Sequence, residues 1–71
     1  MIGIQMIKEL GKSLKESGIR EIYKGLVVGI ERRQSRILNP EAIEKINSED
    51  LLWIVGPVDL VKKLRTNVRL S

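Results

Sequence analysis

The sequence predicts an α+β domain with the element order strand, helix, strand, strand, strand, helix. Three observations favour this class: apolar residues alternate in several short segments, two segments combine helix formers with helix-ending signals, and polar turns separate them. A chain of 71 residues has room for one small domain, so we expect a single domain over residues 1–71, with 66–71 as a frayed tail. This order is typical of a mostly antiparallel sheet with its helices on one face.

The first third of the chain is predicted to hold a strand and then a short helix. Apolar and polar residues alternate over residues 2–8, which is typical of a strand with one buried face. Good helix formers occupy residues 11–18, and Gly18 can end the helix because glycine adopts a left-handed conformation at little cost. Since Leu14 is the main apolar residue of this helix, the helix depends on packing for its stability.

The middle of the chain is predicted to form a hairpin. Residues 26–32, which are mostly apolar and rich in β-branched residues, are predicted to form its first strand. Residues 36–38 are predicted to form its second strand. One face of the first strand is expected to carry Leu26, Val28 and Ile30. No glycine lies at the polar tip over residues 33–35, so we expect a loop longer than two residues.

The last part of the chain is predicted to contain a buried strand and a C-terminal helix. Asn39-Pro40 favours one or two helical turns over residues 41–46, since Pro suits a first helical position. Residues 51–55 are apolar throughout, which is typical of a strand buried on both faces. Pro57 then opens the final helix. Its apolar stripe is expected to contain Val58, Leu60, Val61 and Leu64.

An excess of apolar strand surface predicts a homodimer. Alternate residues of the strand over 51–55 point to opposite faces, so both of its faces are apolar. Two short helices can cover only one face of a small sheet, and the other must meet water, the stems of Lys and Arg side chains, or a partner. We favour a second copy of the chain, because a domain this small gains stability by oligomerising. The interface is expected to include Leu26, Val28 and Trp53.

Composition excludes several functional classes. The absence of His and Cys removes the usual general base, the thiol nucleophile and the commonest metal ligands. We therefore expect no enzymatic activity, no catalytic residue, no metal site and no resident cofactor. No segment approaches the ~20 apolar residues of a membrane span, and no signal peptide is visible, so we expect a cytoplasmic chain without direct membrane insertion.

The charge balance leaves a small basic nucleic-acid-binding domain as the alternative function. Thirteen basic residues against nine acidic ones give a net charge of +4, which attracts phosphate backbones. The basic residues are, however, spread along the chain among acidic ones, and Tyr23 and Trp53 are the only aromatic residues on which bases could stack. We therefore expect no nucleic-acid partner.

Four segments resemble, in order and spacing, the TrkA C-terminal domain family, also called the RCK C-terminal domain. They are 18–23 (Gly-Ile-Arg-Glu-Ile-Tyr), 25–32 (Gly-Leu-Val-Val-Gly-Ile-Glu-Arg), 37–40 (Ile-Leu-Asn-Pro) and 49–56 (Glu-Asp-Leu-Leu-Trp-Ile-Val-Gly). The resemblance covers residues 2–65 and implies a dimeric regulatory domain, cytoplasmic and associated with the inner membrane through a membrane-embedded cation transporter. Such transporters are potassium uptake systems, potassium channels and cation/proton antiporters. The sequence over residues 25–40 and 51–56 most resembles that of the antiporters.

The resemblance also implies a small effector at the dimer interface, such as cyclic di-AMP. The residues expected to bind it are Ile19, Arg20, Ile22, Tyr23, Asn39 and Pro40. Arg20 offers a fork of hydrogen-bond donors to a phosphate, which makes an anionic nucleotide the implied effector. Glu21 and Asn39 stand where members that bind cyclic di-AMP commonly have Asn and His. An acid at position 21 opposes a phosphodiester unless a cation compensates it.

Charged residues elsewhere have a structural explanation beside a functional one. Arg20 can instead pair with Glu16 or Glu21 on the surface. Three arginines at the hairpin tip can dock phosphate or stay solvated: Arg32, Arg33 and Arg36. Three acids fit turn chemistry better than a cation site, because no spaced acidic loop is present: Glu44, Glu49 and Asp50. Glu49 also replaces a glycine usual in the family, at a turn where a left-handed conformation costs Glu more.

Overall fold

Five antiparallel strands form one sheet in the computed structural model, which describes residues 1–65 and 68–70. The strands are β1 (Ile2–Met6), β2 (Leu26–Arg32), β3 (Ser35–Leu38), β4 (Leu51–Val55) and β5 (Val68–Leu70). Two short helices, α1 (Leu14–Ser17) and α2 (Leu60–Leu64), complete the regular structure of the described residues. The sheet order is β3-β2-β4-β1-β5, which confirms the predicted α+β class and the antiparallel sheet.

The C-terminal tail differs from the sequence prediction. Where a frayed end is predicted over 66–71, β5 pairs with β1 and places Val68 opposite Met6. Without β5, β1 would be an edge strand whose free backbone groups readily accept another strand. Residues 66, 67 and 71 of the predicted tail lie outside the described residues.

The hydrophobic core lies on one face of the sheet. Its buried residues are Ile4, Met6, Leu14, Ile19, Ile30, Ile46, Leu52, Ile54, Leu60 and Leu64. Strands β1, β2 and β4 contribute to this set together with both helices, so the two helices lie on the same face, as predicted. The other face, here called the open face, has no helix over it among the described residues. Register places Leu26, Leu38, Leu51, Trp53 and Val55 on the open face.

A β-bulge at Val28 changes which residues of β2 share a face. Strict alternation predicts that Leu26, Val28 and Ile30 lie together. In the structure Leu26 pairs with Val55 and Ile30 pairs with Leu52, while the register skips Val28. Since directly opposed residues share a face, Leu26 lies on the open face and Ile30 in the core. The extra residue of a bulge inverts the alternation that follows it, so the prediction for Ile30 is wrong.

Local hydrogen bonds fix both ends of α1. The Glu16 N–H donates to Ser13 Oγ (3.1 Å), and the Ser13 N–H donates to Glu16 Oε1 (2.9 Å), which is a capping box. The backbone hydrogen bond from Ser13, with the one involving its side chain, holds the pKa of Glu16 below its usual value. Gly18 has a φ of 78°, which confirms its predicted left-handed role. A helix of four residues depends on such caps, because it makes few internal hydrogen bonds.

The β2–β3 hairpin is tighter than the sequence predicts. Arg32 pairs with Ser35, which leaves Arg33 and Gln34 alone in the loop. Neither loop residue has a positive φ. A tip without glycine predicts a longer loop, because two-residue turns commonly need a left-handed residue. This turn needs none, so two residues are enough.

Residues 40–46 form an irregular segment, here called the strap, in place of the predicted helical turns. Its backbone bonds to residues 11–15, where the Leu14 N–H donates to Glu44 O (2.9 Å). Ile46, at the end of the strap, is 1% exposed in the core. The strap therefore satisfies its backbone groups through a neighbouring segment, and a helix is not needed for that purpose.

α2 begins later than the sequence predicts. The Leu60 N–H donates to Pro57 O (3.0 Å), so Pro57 lies in the turn before the helix. Leu60 and Leu64 are buried as predicted, whereas Val58 lies in that turn and is fully exposed. Neither helix of the described part of the chain is long and apolar enough to cross a membrane.

Glu49 adopts a left-handed backbone conformation, with a φ of 70°. A Cβ makes this conformation costly, so Glu49→Gly relieves strain in the folded state. Glycine also increases the entropy of the unfolded chain, which opposes this gain. We expect a net rise of about 1 kcal/mol in the free energy of unfolding. Urea denaturation followed by circular dichroism measures the change. Ser48→Gly is the control and should lose stability, because Ser48 has no positive φ to relieve. Equal losses in both variants would contradict the strain at Glu49.

Candidate ligand-binding site

A cavity of about 310 Å3 lies between α1, the turn after it, the start of β2 and the strap. Its lining consists of Leu14, Lys15, Ile19, Arg20, Glu21, Leu26, Val27, Pro40 and Ala42. Apolar side chains form most of this lining, and charged groups come from one short stretch of chain. Such a combination suits a small organic ligand that carries an anionic group.

The turn that carries Arg20 is positioned by its neighbours on both sides. Before it, the Ile19 N–H donates to Ser17 Oγ (3.3 Å), and after it the Gly25 N–H donates to Ile19 O (2.9 Å). Gly25 must lack a side chain, because a Cβ there would lie 2.9 Å from Ile54 Cγ2 in the core. The turn thus buries Ile19 and leaves Arg20 exposed at the mouth of the cavity.

Three charged side chains surround the mouth: Lys15, Arg20 and Glu21. Within the described residues, none of the three has a hydrogen-bond or ion-pair partner for its side chain. The surface pairing of Arg20 with Glu16 or Glu21 is therefore not found, and Glu16 lies instead 3.9 Å from Lys45 Nζ. An unpaired guanidinium beside an apolar cavity is available to a carboxylate or a phosphate.

Half of the predicted ligand-binding residues meet at this cavity: Ile19, Arg20 and Pro40. Ile19 is 1% exposed and supplies apolar surface from the core side. Pro40 belongs to the strap, which the backbone pairing with residues 11–15 brings alongside α1. Residues distant in the chain therefore line one cavity.

The other three predicted residues lie outside the lining: Ile22, Tyr23 and Asn39. Ile22 is 68% exposed, and Tyr23 packs against the core. Asn39 has a φ of 49°, and its N–H donates to Val28 O (3.0 Å), which is the chemistry of a turn that ends β3. These three residues do not line the cavity, and their part in ligand binding stays a prediction.

Sequence reasoning did not single out Lys15 or Ala42 as cavity residues. Lys15 lies within α1, whereas Ile19 follows the left-handed Gly18 that ends the helix, so helical spacing in the sequence could not have identified Lys15 as a neighbour of Ile19. Ala42 gave no signal either, because its position depends on the long-range bond from the Lys15 N–H to Ala42 O (3.0 Å).

The residues predicted to form a dimer interface have different positions. Leu26 and Trp53 lie on the open face, whereas Val28 is the half-buried residue of the bulge. Leu26 is 56% exposed and also lines the cavity, so the cavity adjoins the open face. Leu38 and Val55 on the same face are 71% and 45% exposed.

Trp53 occupies the open face between two glycines, Gly3 on β1 and Gly29 on β2. Because neither glycine has a side chain, no directly opposed side chain occupies the space that the large indole needs. The Trp53 Nε1–H donates to Glu31 Oε1 (2.9 Å), and Arg36 Nη2 lies 3.9 Å from the same oxygen. The open face is therefore polar at one end and apolar at the other.

Arg32 is held within the fold by three partners. Its Nε donates to Asp50 Oδ1 (3.0 Å), its Nη1 lies 3.1 Å from Glu44 Oε2, and its Nη2 donates to Lys45 O (2.7 Å). The same carboxylate also accepts a hydrogen bond from the backbone N–H of Asn47, three residues earlier, at 2.8 Å. The hydrogen bond to Asp50 raises the pKa of Arg32 above its ordinary value. This arginine is therefore structural.

The remaining charges of the hairpin tip are only loosely paired. Arg33 Nε lies 4.0 Å from Glu49 Oε2, with side chains 87% and 68% exposed. Arg36 is also exposed, and so the interpretation of the tip as a solvated loop fits both residues. Since Glu44 and Asp50 are bound to Arg32, the three predicted turn acids serve ion pairs and turns.

Solved structures with this fold include one described as the RCK_C domain dimer of S. agalactiae BusR in complex with c-di-AMP. It has a TM-score of 0.76 and 22% identity, over 93% of this chain and 93% of that chain. S. agalactiae BusR in complex with its busAB-promotor DNA has a TM-score of 0.74 and 26% identity over 86% of this chain. The present chain covers 30% of that longer one. No curated protein matches the sequence.

A family model of the TrkA-C domain matches residues 10–69. That range contains both helices, strands β2 to β4 and every residue of the cavity lining. The similarity therefore extends over the fold and the candidate site together, and the chain belongs to the TrkA-C domain family.

Proposed function

We propose that this chain is a cytoplasmic, ligand-sensing regulatory domain that dimerises and controls a potassium or other cation transport system. Its effector is an anionic nucleotide such as c-di-AMP. The observation that carries the proposal is Arg20 at the mouth of an apolar cavity, with no side-chain partner among residues 1–65 and 68–70. Membership of the TrkA-C family supports the regulatory role, and the resemblance of residues 25–32 and 49–56 to transport proteins supports the transporter as parent chain or partner.

The cavity suits a nucleotide on chemical grounds. Leu26, which is 56% exposed, and Pro40 offer apolar surface to a base, and Arg20 offers paired donors to a phosphate. Glu21 repels the phosphate, but Lys15 lies at the same mouth and offsets that repulsion. Two positive charges and one negative leave the mouth with a net charge of +1. Lys15 thus supplies the compensation that an acid at position 21 requires.

A second copy on the open face would complete the site. The cavity of about 310 Å3 is at the lower limit of the roughly 300–1,000 Å3 of small-molecule sites, so a dinucleotide needs more room than one copy gives. Leu26 joins the cavity to the open face, where Trp53 also lies, and the neighbouring bulge residue Val28 completes the proposed interface. The complex of the BusR RCK_C domain dimer with c-di-AMP supports a dimer that binds such a ligand.

Regulation follows from a ligand held between two copies. A ligand that contacts both subunits stabilises the relative orientation to which it binds more tightly. The expected coupling is about 1–3 kcal/mol, the usual scale for an effector acting on a second site. A transporter attached to the two copies would receive that change in orientation.

Arg20→Ala tests the proposed site directly. We expect c-di-AMP binding to weaken by roughly 1.5–3 kcal/mol, about 10- to 150-fold, because a charge-assisted hydrogen bond to phosphate is lost. Glu21→Gln in the same series should bind more tightly, since it removes a repulsive charge. Isothermal titration calorimetry measures both effects, and sedimentation shows that the dimer persists.

Arg33→Ala is the matched control, because it removes the same charge from an exposed position outside the cavity. Its affinity should stay within about twofold of the wild type, given the weak effect of exposed charges. Equal losses in Arg20→Ala and Arg33→Ala would point to nonspecific electrostatic binding. No binding of c-di-AMP or simpler nucleotides to the wild-type chain would contradict the proposed function.

A second candidate is a ligand-sensing domain within a DNA-binding regulator. The similarity to S. agalactiae BusR in its complex with promoter DNA favours it, although the chain covers 30% of that protein. The sequence prediction of no nucleic-acid partner remains a prediction. Electrophoretic mobility shift with labelled duplex DNA tests whether this chain itself contacts DNA: steeply salt-dependent binding would favour the second candidate, whereas no shift at low salt would show that the chain adds no DNA contact of its own.

A further inference from the structure

The strap forms one wall of the cavity without regular secondary structure of its own. Pro40 and Ala42 provide its lining residues. On one side, the strap is bound to α1 by the hydrogen bond from the Lys15 N–H to Ala42 O (3.0 Å). The part of the strap that follows Ala42 is held by the Leu14 N–H, which donates to Glu44 O (2.9 Å), and by the buried side chain of Ile46.

Arg32 adds a side-chain attachment to this part of the strap. Its Nη1 lies 3.1 Å from Glu44 Oε2, and its Nη2 donates to Lys45 O (2.7 Å), so it holds a strap side chain and the strap backbone together. The same guanidinium is fixed through Nε to both oxygens of Asp50, at 3.0 and 3.2 Å. Asp50 is only 3% exposed, so the attachment begins from a buried point at the start of β4.

We propose that Arg32 is a positioning residue of the ligand site, which holds the strap against α1 and so keeps the cavity wall in place. Arg32 does not line the cavity, so its effect passes through the strap. The consequence for affinity rests on the proposed ligand-binding function, whereas the effect on the strap does not. The Arg32 and Glu44 side chains are 22% and 32% exposed, so this part of the attachment is modest in strength and sensitive to salt.

Glu44→Ala and Glu41→Ala make a matched pair for the test. Both remove one negative charge from the strap, but Glu41 is exposed and its side chain has no partner among the described residues. Amide hydrogen exchange at Lys15 reports local opening of the strap, because its N–H donates to Ala42 O. In Glu44→Ala we expect this exchange to be about two- to fivefold faster, the range of a partly exposed ion pair. In Glu41→Ala it should match the wild type.

Affinity for c-di-AMP is the second measurement, made where circular dichroism shows both variants to be folded. Glu44→Ala should raise the dissociation constant by about two- to fivefold, while Glu41→Ala should not, although both changes remove a charge that repels the ligand. A purely structural ion pair would leave the affinity of a folded chain unchanged. Arg32→Met should show larger effects of the same sign, since it removes the contacts to Glu44 and Lys45 together.

The outcomes separate the two proposals. Faster exchange with weaker binding in Glu44→Ala alone supports the positioning role. Equal exchange in Glu44→Ala and Glu41→Ala overturns it, and this comparison needs no ligand. Faster exchange with unchanged affinity also overturns it, because the strap would then not shape the site. Absence of nucleotide binding in the wild type contradicts the proposed function, and the exchange comparison still decides whether Arg32 holds the strap.

Discussion

Arg32→Met is expected to lower the free energy of unfolding by about 2–4 kcal/mol, near the range for breaking a buried ion pair. The substitution leaves the Asp50 carboxylate 3% exposed, with the Asn47 N–H as its remaining hydrogen-bond donor among the described residues. It also frees the end of β2 from the strap, because the contacts to Glu44 and Lys45 are lost. Urea denaturation followed by circular dichroism measures the loss.

Two further variants test whether the loss comes from the Arg32–Asp50 pair. Arg33→Met should change stability by less than about 0.5 kcal/mol, since its ion pair with Glu49 is long and exposed. The double variant Arg32→Met with Asp50→Leu should lose less than the sum of the single changes, because it leaves no unpaired buried charge. Additive losses would show that the two residues do not act as a pair.

Val55→Glu is expected to raise the dissociation constant of the dimer more than 100-fold. Val55 lies on the open face opposite Leu26 and outside the cavity lining, so the change leaves the ligand-contacting residues in place. A carboxylate enclosed between two copies without a partner costs several kcal/mol, and about 2.7 kcal/mol is enough for a 100-fold effect. Sedimentation velocity over a range of protein concentrations measures the dissociation constant.

Val58→Glu is the control for the added charge. Val58 is fully exposed in the turn before α2 and does not belong to the sheet, so the dimer should be unaffected. Loss of the dimer in both variants would indicate a general effect of charge. Persistence of the dimer in Val55→Glu would place the interface away from the open face.

Local patterns in the sequence were sufficient for much of the fold. The strand over 51–55 has the predicted bounds, and its position in the centre of the sheet agrees with its two apolar faces. Gly18 ends α1 as predicted, because the requirement for a left-handed residue is local. Glu49 has a left-handed conformation, as the glycine usual at this position in the resembled family indicated.

The errors arise where distant segments determine the conformation. Alternation cannot reveal the bulge at Val28, since the skipped residue is defined by its pairing with β4. The strap takes its hydrogen bonds from residues 11–15, so its local preference for a helical start at Pro40 is overridden. β5 forms because the edge of β1 is open to it, a property of the assembled sheet.

In the candidate site, too, local sequence indicates some residues, while distant segments determine the positions of others. Arg20 was identifiable from the sequence, because an arginine within a short apolar turn is chemically conspicuous. Pro40 was identifiable only through the family resemblance, and Ala42 not at all, since the strap brings both to the cavity. Tyr23 was assigned to the ligand on its amphipathic chemistry, but the structure packs it against the core.

The placement of Trp53 gives the protein an intrinsic optical probe. The chain contains one tryptophan, so its emission comes from a single indole on the open face, half-buried and hydrogen-bonded to Glu31. A second copy that covers this face would remove water from the ring and shift the emission to shorter wavelength. Ligand bound at the cavity alone, which Trp53 does not line, would leave the emission in place. The emission of Trp53 therefore reports assembly of the unlabelled chain without a contribution from ligand in the cavity.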